Sequence, residues 1–257
     1  MPDQPAIIEI RTRTQITFKQ LEEESNLIAS GLLHYGLKKG DRVLVMVPYG
    51  VDFVTLTFGL FKAGAVPVLI DPGLGKKNVL RCIKQSEPQG IIAIPLVHAV
   101  KTLIPAPFKS IRLSVTVGRK WFWRGPTLDQ VKRNGQPGYQ VGNIPEEQAA
   151  AVLFTSGSTG PAKGVLYTHG MFGQQIRILC EHFGILPGEK DLPTFPLFGL
   201  FSTGMGMTSV IPDMDPTHPA KVNPKTLSTL SRTITSPAVL VPRLFGTPSA
   251  AIARKAR

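Results

Sequence analysis

The stretch Phe154-Thr155-Ser156-Gly157-Ser158-Thr159-Gly160-Pro161-Ala162-Lys163-Gly164-Val165 decides how the rest of the chain is read. The apolar run from Ala149 to Phe154 leads into it and reads as a buried strand. Hydroxyl side chains and glycines follow, and Pro161 stiffens the turn. A second short apolar run, Val165 to Tyr167, carries the chain away. This composition suits a polyphosphate. Glycines let the backbone come close to a ligand, and successive backbone N–H groups in such a turn form an anion-binding nest. Thr155, Ser156, Ser158 and Thr159 add short donors, and Lys163 adds a mobile positive charge. A Ser/Gly surface turn is the plainer reading of the same composition. A Walker A loop is excluded: that motif ends in Gly-Lys-Ser/Thr and opens into a helix, whereas Lys163 is followed by Gly164 and the loop joins two strands.

Upstream, apolar runs and helical patterns alternate. Gln15 to Phe18 is strand-like, and a helix follows with Leu21, Leu27, Ile28, Gly31 and Leu32 on one face. Val43 to Val47 is an almost continuous apolar run, as in a strand covered on both faces. Val51 to Ala63 predicts a buried helix, Val66 to Ile70 a strand, Leu74 to Gln85 an amphipathic helix, Gly90 to Ile94 a strand, and Val97 to Leu103 a short helix. Ile111 to Val117 predicts one more strand. Alternation at this spacing predicts an α/β fold with mostly parallel sheets flanked by helices. Gly118 to Gly142 reads as loop-rich. Within it, Arg119-Lys120-Trp121-Phe122-Trp123-Arg124 reads as a loop anchor packed on the body, with a membrane interface or base stacking as the alternatives. Downstream, Thr168 or His169 caps a helix from about Met171 to Phe183. His169 is either a cap, a ligand-proximal residue or a base.

Composition narrows the function classes. An apolar content of 42% supports a true core. The two cysteines, Cys82 and Cys180, have no ligand spacing, so no disulfide framework or zinc site is expected, and a reducing, cytoplasmic compartment fits. The most apolar window, Val51 to Ile70, contains Asp52, Lys62 and Pro67, so no transmembrane segment is expected. The net charge of +12 raises nucleic acid as a partner. The cations are spread along the chain rather than gathered on one element, so a solvated basic surface is the preferred reading and nucleic acid is not expected.

The quoted stretch resembles the phosphate loop of the adenylate-forming (AMP-dependent synthetase/ligase) enzymes, which include acyl-CoA synthetases. The family form places Pro directly before Lys; here Pro161 and Ala162 are exchanged, with loop length, Lys163 and both flanking glycines retained. Ile16 to Leu21 and Leu60 to Pro72 resemble two further family segments, in order and at the expected separation. Asp191 to Phe201, with Pro196-Leu197-Phe198-Gly199, resembles the segment lining the acyl pocket, where many members carry histidine or an aromatic in place of Gly199. The look of this segment is that of the bacterial olefin-biosynthesis branch, the fatty-acid ligases or β-lactone synthetases.

The resemblance implies the large N-terminal domain of that family, binding ATP and Mg2+, with CoA as one second-step acceptor. It implies activation of a fatty or 3-hydroxy fatty acid to acyl-AMP, followed by CoA ligation or β-lactone closure. Carried over residue by residue, it places Thr155 and Lys163 in catalytic roles and Thr155 on the metal. Thr155, Ser156, Gly157, Ser158, Thr159, Gly160 and Lys163 fall on the nucleotide. Phe195, Phe198 and Gly199 fall on the acyl chain, with Gly199 opening space beside the carboxylate.

The resemblance covers about Ile16 to Leu230, and complete family chains are much longer. No aromatic-Gly-x-Thr-Glu string or ribose-contacting aspartate segment is found, nor the C-terminal domain with its lysine, so the chain reads as truncated. From Thr226 to Arg257 there is no Asp or Glu, and periodicity fades after Leu230. The division expected is a partial adenylation domain over 1–230 and an irregular basic tail over 231–257, either a functional tail or the product of a reading-frame shift near Leu230. A non-catalytic nucleotide- or acyl-binding remnant and a basic nucleic-acid-binding protein are the competing functions.

Overall fold

In the computed structural model, residues 1–155 and 162–214 are described; residues 156–161, residues 215–257 and the Thr155 side chain lie outside the described residues. The first part of the chain forms β1 (Pro5–Glu9), β2 (Thr14–Thr17), α1 (Phe18–His34), β3 (Arg42–Met46), α2 (Val51–Lys62) and β4 (Val66–Ile70). Next come α3 (Lys76–Ser86), β5 (Gly90–Ala93), α4 (Pro95–Leu103), β6 (Leu113–Thr116) and α5 (Leu128–Arg133). Then follow β7 (Ala149–Thr155), β8 (Lys163–Thr168), α6 (His169–Phe183), β9 (Lys190–Asp191), α7 (Pro196–Gly204) and β10 (Thr208–Ile211).

Among the described residues, six strands form one sheet in the order β6-β5-β3-β4-β7-β8, and four form a second in the order β2-β1-β10-β9. The first sheet is parallel except for β8, which returns antiparallel on β7. The second is parallel across β1, β10 and β9, with β2 antiparallel. The expected α/β architecture is therefore present, and the apolar runs of β3, β4 and β5 have their physical reason. Val43 and Val45 face the core that contains Ile28, Leu32, Leu56 and Leu60 of α1 and α2. Leu44 between them faces the core built with Cys82 and Ile83 of α3. Both faces of these strands are covered, so both side-chain sets are apolar.

Local signals set the helix ends. The Thr17 hydroxyl accepts the Gln20 N–H at 3.2 Å while the Gln20 side chain accepts the Thr17 N–H at 2.8 Å, a reciprocal cap that starts α1. The same arrangement at Thr127 and Gln130 starts α5, a short helix inside the stretch expected to be loop-rich. Helix α5 packs on α1 so closely that a Cβ on Gly31 would lie 2.1 Å from the Val131 carbonyl oxygen.

The Trp-rich segment divides in two. Trp123 is buried, donates its indole N–H to the Thr116 hydroxyl at 2.7 Å, and stacks on the His98 ring at 5.3 Å. It is the anchor expected. Trp121 and Phe122 are exposed by 56% and 75%.

His98 is fully buried, with Nε2 3.0 Å from the Val115 carbonyl; a carbonyl only accepts, so Nε2 carries the proton. Burial pushes the pKa of His98, and also that of His169, below the ordinary 6.5. The fold thus disfavours the imidazolium. Both rings contribute stability that is fully present above pH 6.5 and is lost as pH falls from there toward the lowered folded values. Urea unfolding is expected to show a lower midpoint at about pH 5.5 than at about pH 7.5, with the difference reduced in His98→Gln.

Candidate functional site

A cavity of about 820 Å³ opens at the carboxyl ends of the strands of both sheets. Its walls come from Met46 and Tyr49 after β3, Ile70 and Asp71 after β4, Phe154 of β7 and the Pro193–Leu197 approach to α7. Ile211 to Met214 close it from the end of β10. Carboxyl strand ends are where open α/β sheets bind ligands, because the connections diverge there and leave a crevice. The wall is mostly apolar side chains with few polar groups, the usual character of a small-molecule site.

The polar groups are held individually. Glu9, on the wall and 7% exposed, accepts the Val51 N–H at 3.1 Å at the amino end of α2, with the Arg11 guanidinium 3.7 Å away. The Tyr49 hydroxyl lies 3.3 Å from the Ser209 hydroxyl. Burial pushes the Tyr49 pKa well above its ordinary value, the Ser209 hydrogen bond opposes this, and the charge of Asp191 adds to the rise. Tyr49 is therefore a neutral phenol on the cavity wall. Asp191, buried beneath, accepts a hydrogen bond from the Ser202 hydroxyl.

The residues expected from sequence fall in three groups. Lys163 is the first residue of β8, paired in register opposite Thr155, exposed, and with no ion pair among the described residues. Strand β7 places Leu153 and Phe154 on the cavity wall, so the chain enters the hydroxyl-and-glycine stretch from the cavity's edge. Ser156, Gly157, Ser158, Thr159 and Gly160, with the Thr155 side chain, lie outside the described residues.

Phe195 lines the cavity and is 43% exposed; Phe198 packs against it with ring centroids 5.7 Å apart and is 44% exposed. Gly199 is buried, and it does not open space as expected. A Cβ there would lie 1.7 Å from the Tyr49 hydroxyl, so the volume this glycine spares is filled by the phenol. Sequence reasoning missed Tyr49. The available signal was its place just past the carboxyl end of an apolar strand, where site residues gather.

Thr168 caps α6, accepting the Met171 N–H at 3.2 Å. His169 follows it, edge-on to Phe61 at 5.6 Å, its Nε2 buried and without a hydrogen-bond partner among the described residues. It is not among the residues of the cavity wall.

The AMP-binding enzyme family matches the chain over residues 1–246. The chain belongs to this family. As an AMP-binding enzyme it is 44% identical over 236 residues to the olefin beta-lactone synthetase of Xanthomonas campestris pv. campestris, covering 91% of this chain and 41% of that protein. It is 43% identical over 235 residues to the one from Stenotrophomonas maltophilia, covering 91% and 42%. The chain thus spans about two fifths of the length of these relatives. Among solved structures, ATP-bound MatB from Rhodopseudomonas palustris superposes with a TM-score of 0.75 at 19% identity, covering 91% of this chain and 46% of that one. The N-terminal domain of FACL13 from Mycobacterium tuberculosis gives 0.72 at 24% identity, covering 84% and 55%. These likenesses show the fold, that of the N-terminal domains of adenylate-forming enzymes. No helix among the described residues of this AMP-binding enzyme is long and apolar enough to cross a membrane.

Proposed function

We propose that this chain carries the phosphate loop and part of the acyl pocket of an ATP-dependent carboxylate-activating enzyme acting on a fatty or 3-hydroxy fatty acid. The observation that supports it most is the apolar cavity of about 820 Å³ at the carboxyl strand ends, bordered by the end of β7 that leads into the hydroxyl-and-glycine stretch. In this reading the acid's carboxylate attacks the α-phosphorus of ATP, the bond to the β-phosphate oxygen breaks, and acyl-AMP and pyrophosphate result. A second step then passes the acyl group to CoA or closes a β-lactone through the 3-hydroxyl, releasing AMP.

Lys163 would neutralise the phosphates as charge builds on the departing group. Its exposed side chain, with no ion pair among the described residues, fits that task. Backbone N–H groups and hydroxyls of 155–160 would cradle the same oxygens. Mg2+ would supply charge neutralisation when bound. The family resemblance gives the Thr155 hydroxyl as a protein contact for the ion, beside the phosphate oxygens. Phe195 and Phe198 would face the apolar chain.

Lys163→Ala is expected to weaken ATP binding about 10- to 100-fold, the loss of one charge-assisted contact, read by calorimetric titration. Unchanged ATP affinity in that variant would overturn the assignment. Acid-dependent ATP–pyrophosphate exchange by the chain separates an activating enzyme from a remnant that only binds. Salt-steep binding to generic duplex DNA would support the nucleic-acid reading instead.

A further inference from the structure

From Pro88 to Leu128 the chain has no Asp or Glu, while Lys101, Lys109, Arg112, Arg119, Lys120 and Arg124 are cationic. Arg112 is paired with Asp41 at 2.6 Å; the others find no carboxylate among the described residues. The loop after β6 concentrates this charge. Arg119 and Arg124 are exposed and Lys120 is half-buried, its ammonium donating to the neutral Gly125 carbonyl at 2.6 Å. Between them stand Trp121 and Phe122, exposed by 56% and 75%.

Their exposure is built rather than incidental. Trp123 roots the loop through Thr116 and His98, and the rings of Trp121 and Phe122 sit 5.5 and 5.4 Å from its ring. Two aromatics are thus held at the tip of an anchored loop and flanked by cations. Leu96 on α4, two residues before His98, is also 67% exposed.

We infer that this loop is a docking surface for an anionic lipid membrane, with Trp121 and Phe122 seated at the interface and Arg119, Lys120 and Arg124 on the headgroups. Indole and phenyl rings favour the headgroup boundary. An apolar tip combined with nearby cations gives stable attachment where either alone is marginal. A single-stranded nucleic acid also stacks bases on exposed rings flanked by cations, but it has no use for the exposed Leu96 of α4, which a bilayer can seat.

The position carries a further consequence. Strand β6 runs parallel to β5, so the loop leaves the same sheet edge on which the cavity opens. Val97 lines the cavity and its neighbour His98 stacks on Trp123. A membrane held by the loop would face the carboxyl-end side of the sheet, the side on which the cavity opens. The docking itself does not depend on the activating reaction.

The test is flotation of the full chain with phosphatidylcholine vesicles, with and without phosphatidylglycerol, alongside tryptophan emission. The only tryptophans are Trp121 and the buried Trp123, so a blue shift on adding vesicles reports Trp121. Wild type is expected to float with anionic vesicles and to shift blue. Trp121→Ala/Phe122→Ala, which removes exposed side chains and leaves the fold's melt unchanged, is expected to bind at least about tenfold more weakly. Arg119→Gln/Arg124→Gln is expected to weaken binding about fivefold per cation. Failure of wild type to float, equal flotation of the aromatic variant, or attachment confined to duplex DNA and indifferent to the aromatics each overturns the inference.

Discussion

Gly31→Ala is expected to destabilise the chain by about 2 kcal/mol, against the sign that helix propensity alone dictates. Gly31 lies inside α1, where alanine is ordinarily favoured by about 1 kcal/mol. Here the added Cβ would stand 2.1 Å from the Val131 carbonyl oxygen and 2.9 Å from its carbon. These are backbone atoms of α5, so no rotamer change relieves the clash, and α5 must move off α1. Overpacking of this kind costs about 1–3 kcal/mol and occasionally more; at the upper end it outweighs the propensity gain. Val131 and Leu128 would leave the core they complete with α1. Urea unfolding followed by circular dichroism measures the effect. A midpoint equal to or above wild type would show that α5 does not sit on α1 this closely.

Gly199→Ala is the second large effect, and it reaches the cavity. Gly199 is interior to α7, so propensity again favours alanine. The Cβ would fall 1.7 Å from the Tyr49 hydroxyl and 2.7 Å from the ring carbon bearing it. The phenol must swing away, losing Ser209 and entering the cavity it now only borders. A stability loss of about 2–3 kcal/mol is expected, with binding of a long-chain acid, read by calorimetry, weakened about tenfold or more. Tyr49→Phe alone removes one long hydrogen bond and is expected to cost about 1 kcal/mol or less. Combined with Gly199→Ala it removes the closest clash, so the double variant is expected to be more stable than the sum of the single losses. Strict additivity would show that the two residues do not meet.

Much of the larger sheet was legible because its signals are local. Val43–Val47, Val66–Ile70 and Gly90–Ile94 are apolar without alternation, the mark of strands covered on both faces. Of the smaller sheet, β2 was legible as the strand-like Gln15 to Phe18, but its partners β1 and β10 were not. Pro5–Glu9 sits in a polar amino-terminal stretch and Thr208–Ile211 in a short run, and each becomes a strand by pairing with the other across most of the sequence. Such pairing leaves no periodicity to read. Helix α5 did leave a signal, Thr127 followed by Gln130, which the loop-like composition around it obscured.

At the site, the two strands that flank the hydroxyl-and-glycine stretch were legible as the apolar runs Ala149 to Phe154 and Val165 to Tyr167. The partnership of Tyr49 with Gly199 was not, because it joins residues on different elements and turns on a contact distance. The Trp-rich segment was read as an anchor, which holds for Trp123 alone; which ring of three turns inward depends on where Thr116 and His98 lie.

The pairing of Thr155 with Lys163 carries an entropic meaning. The hairpin of β7 and β8 brings the two ends of the 156–162 segment together before any ligand arrives. Closing a loop costs an entropy that grows only slowly with its length, and here that cost is met during folding by strand pairing. An anion need not bring distant chain ends together to be enclosed. Under the proposed function, a nucleotide's phosphates would therefore meet chain ends at Thr155 and Lys163 that strand pairing already holds together.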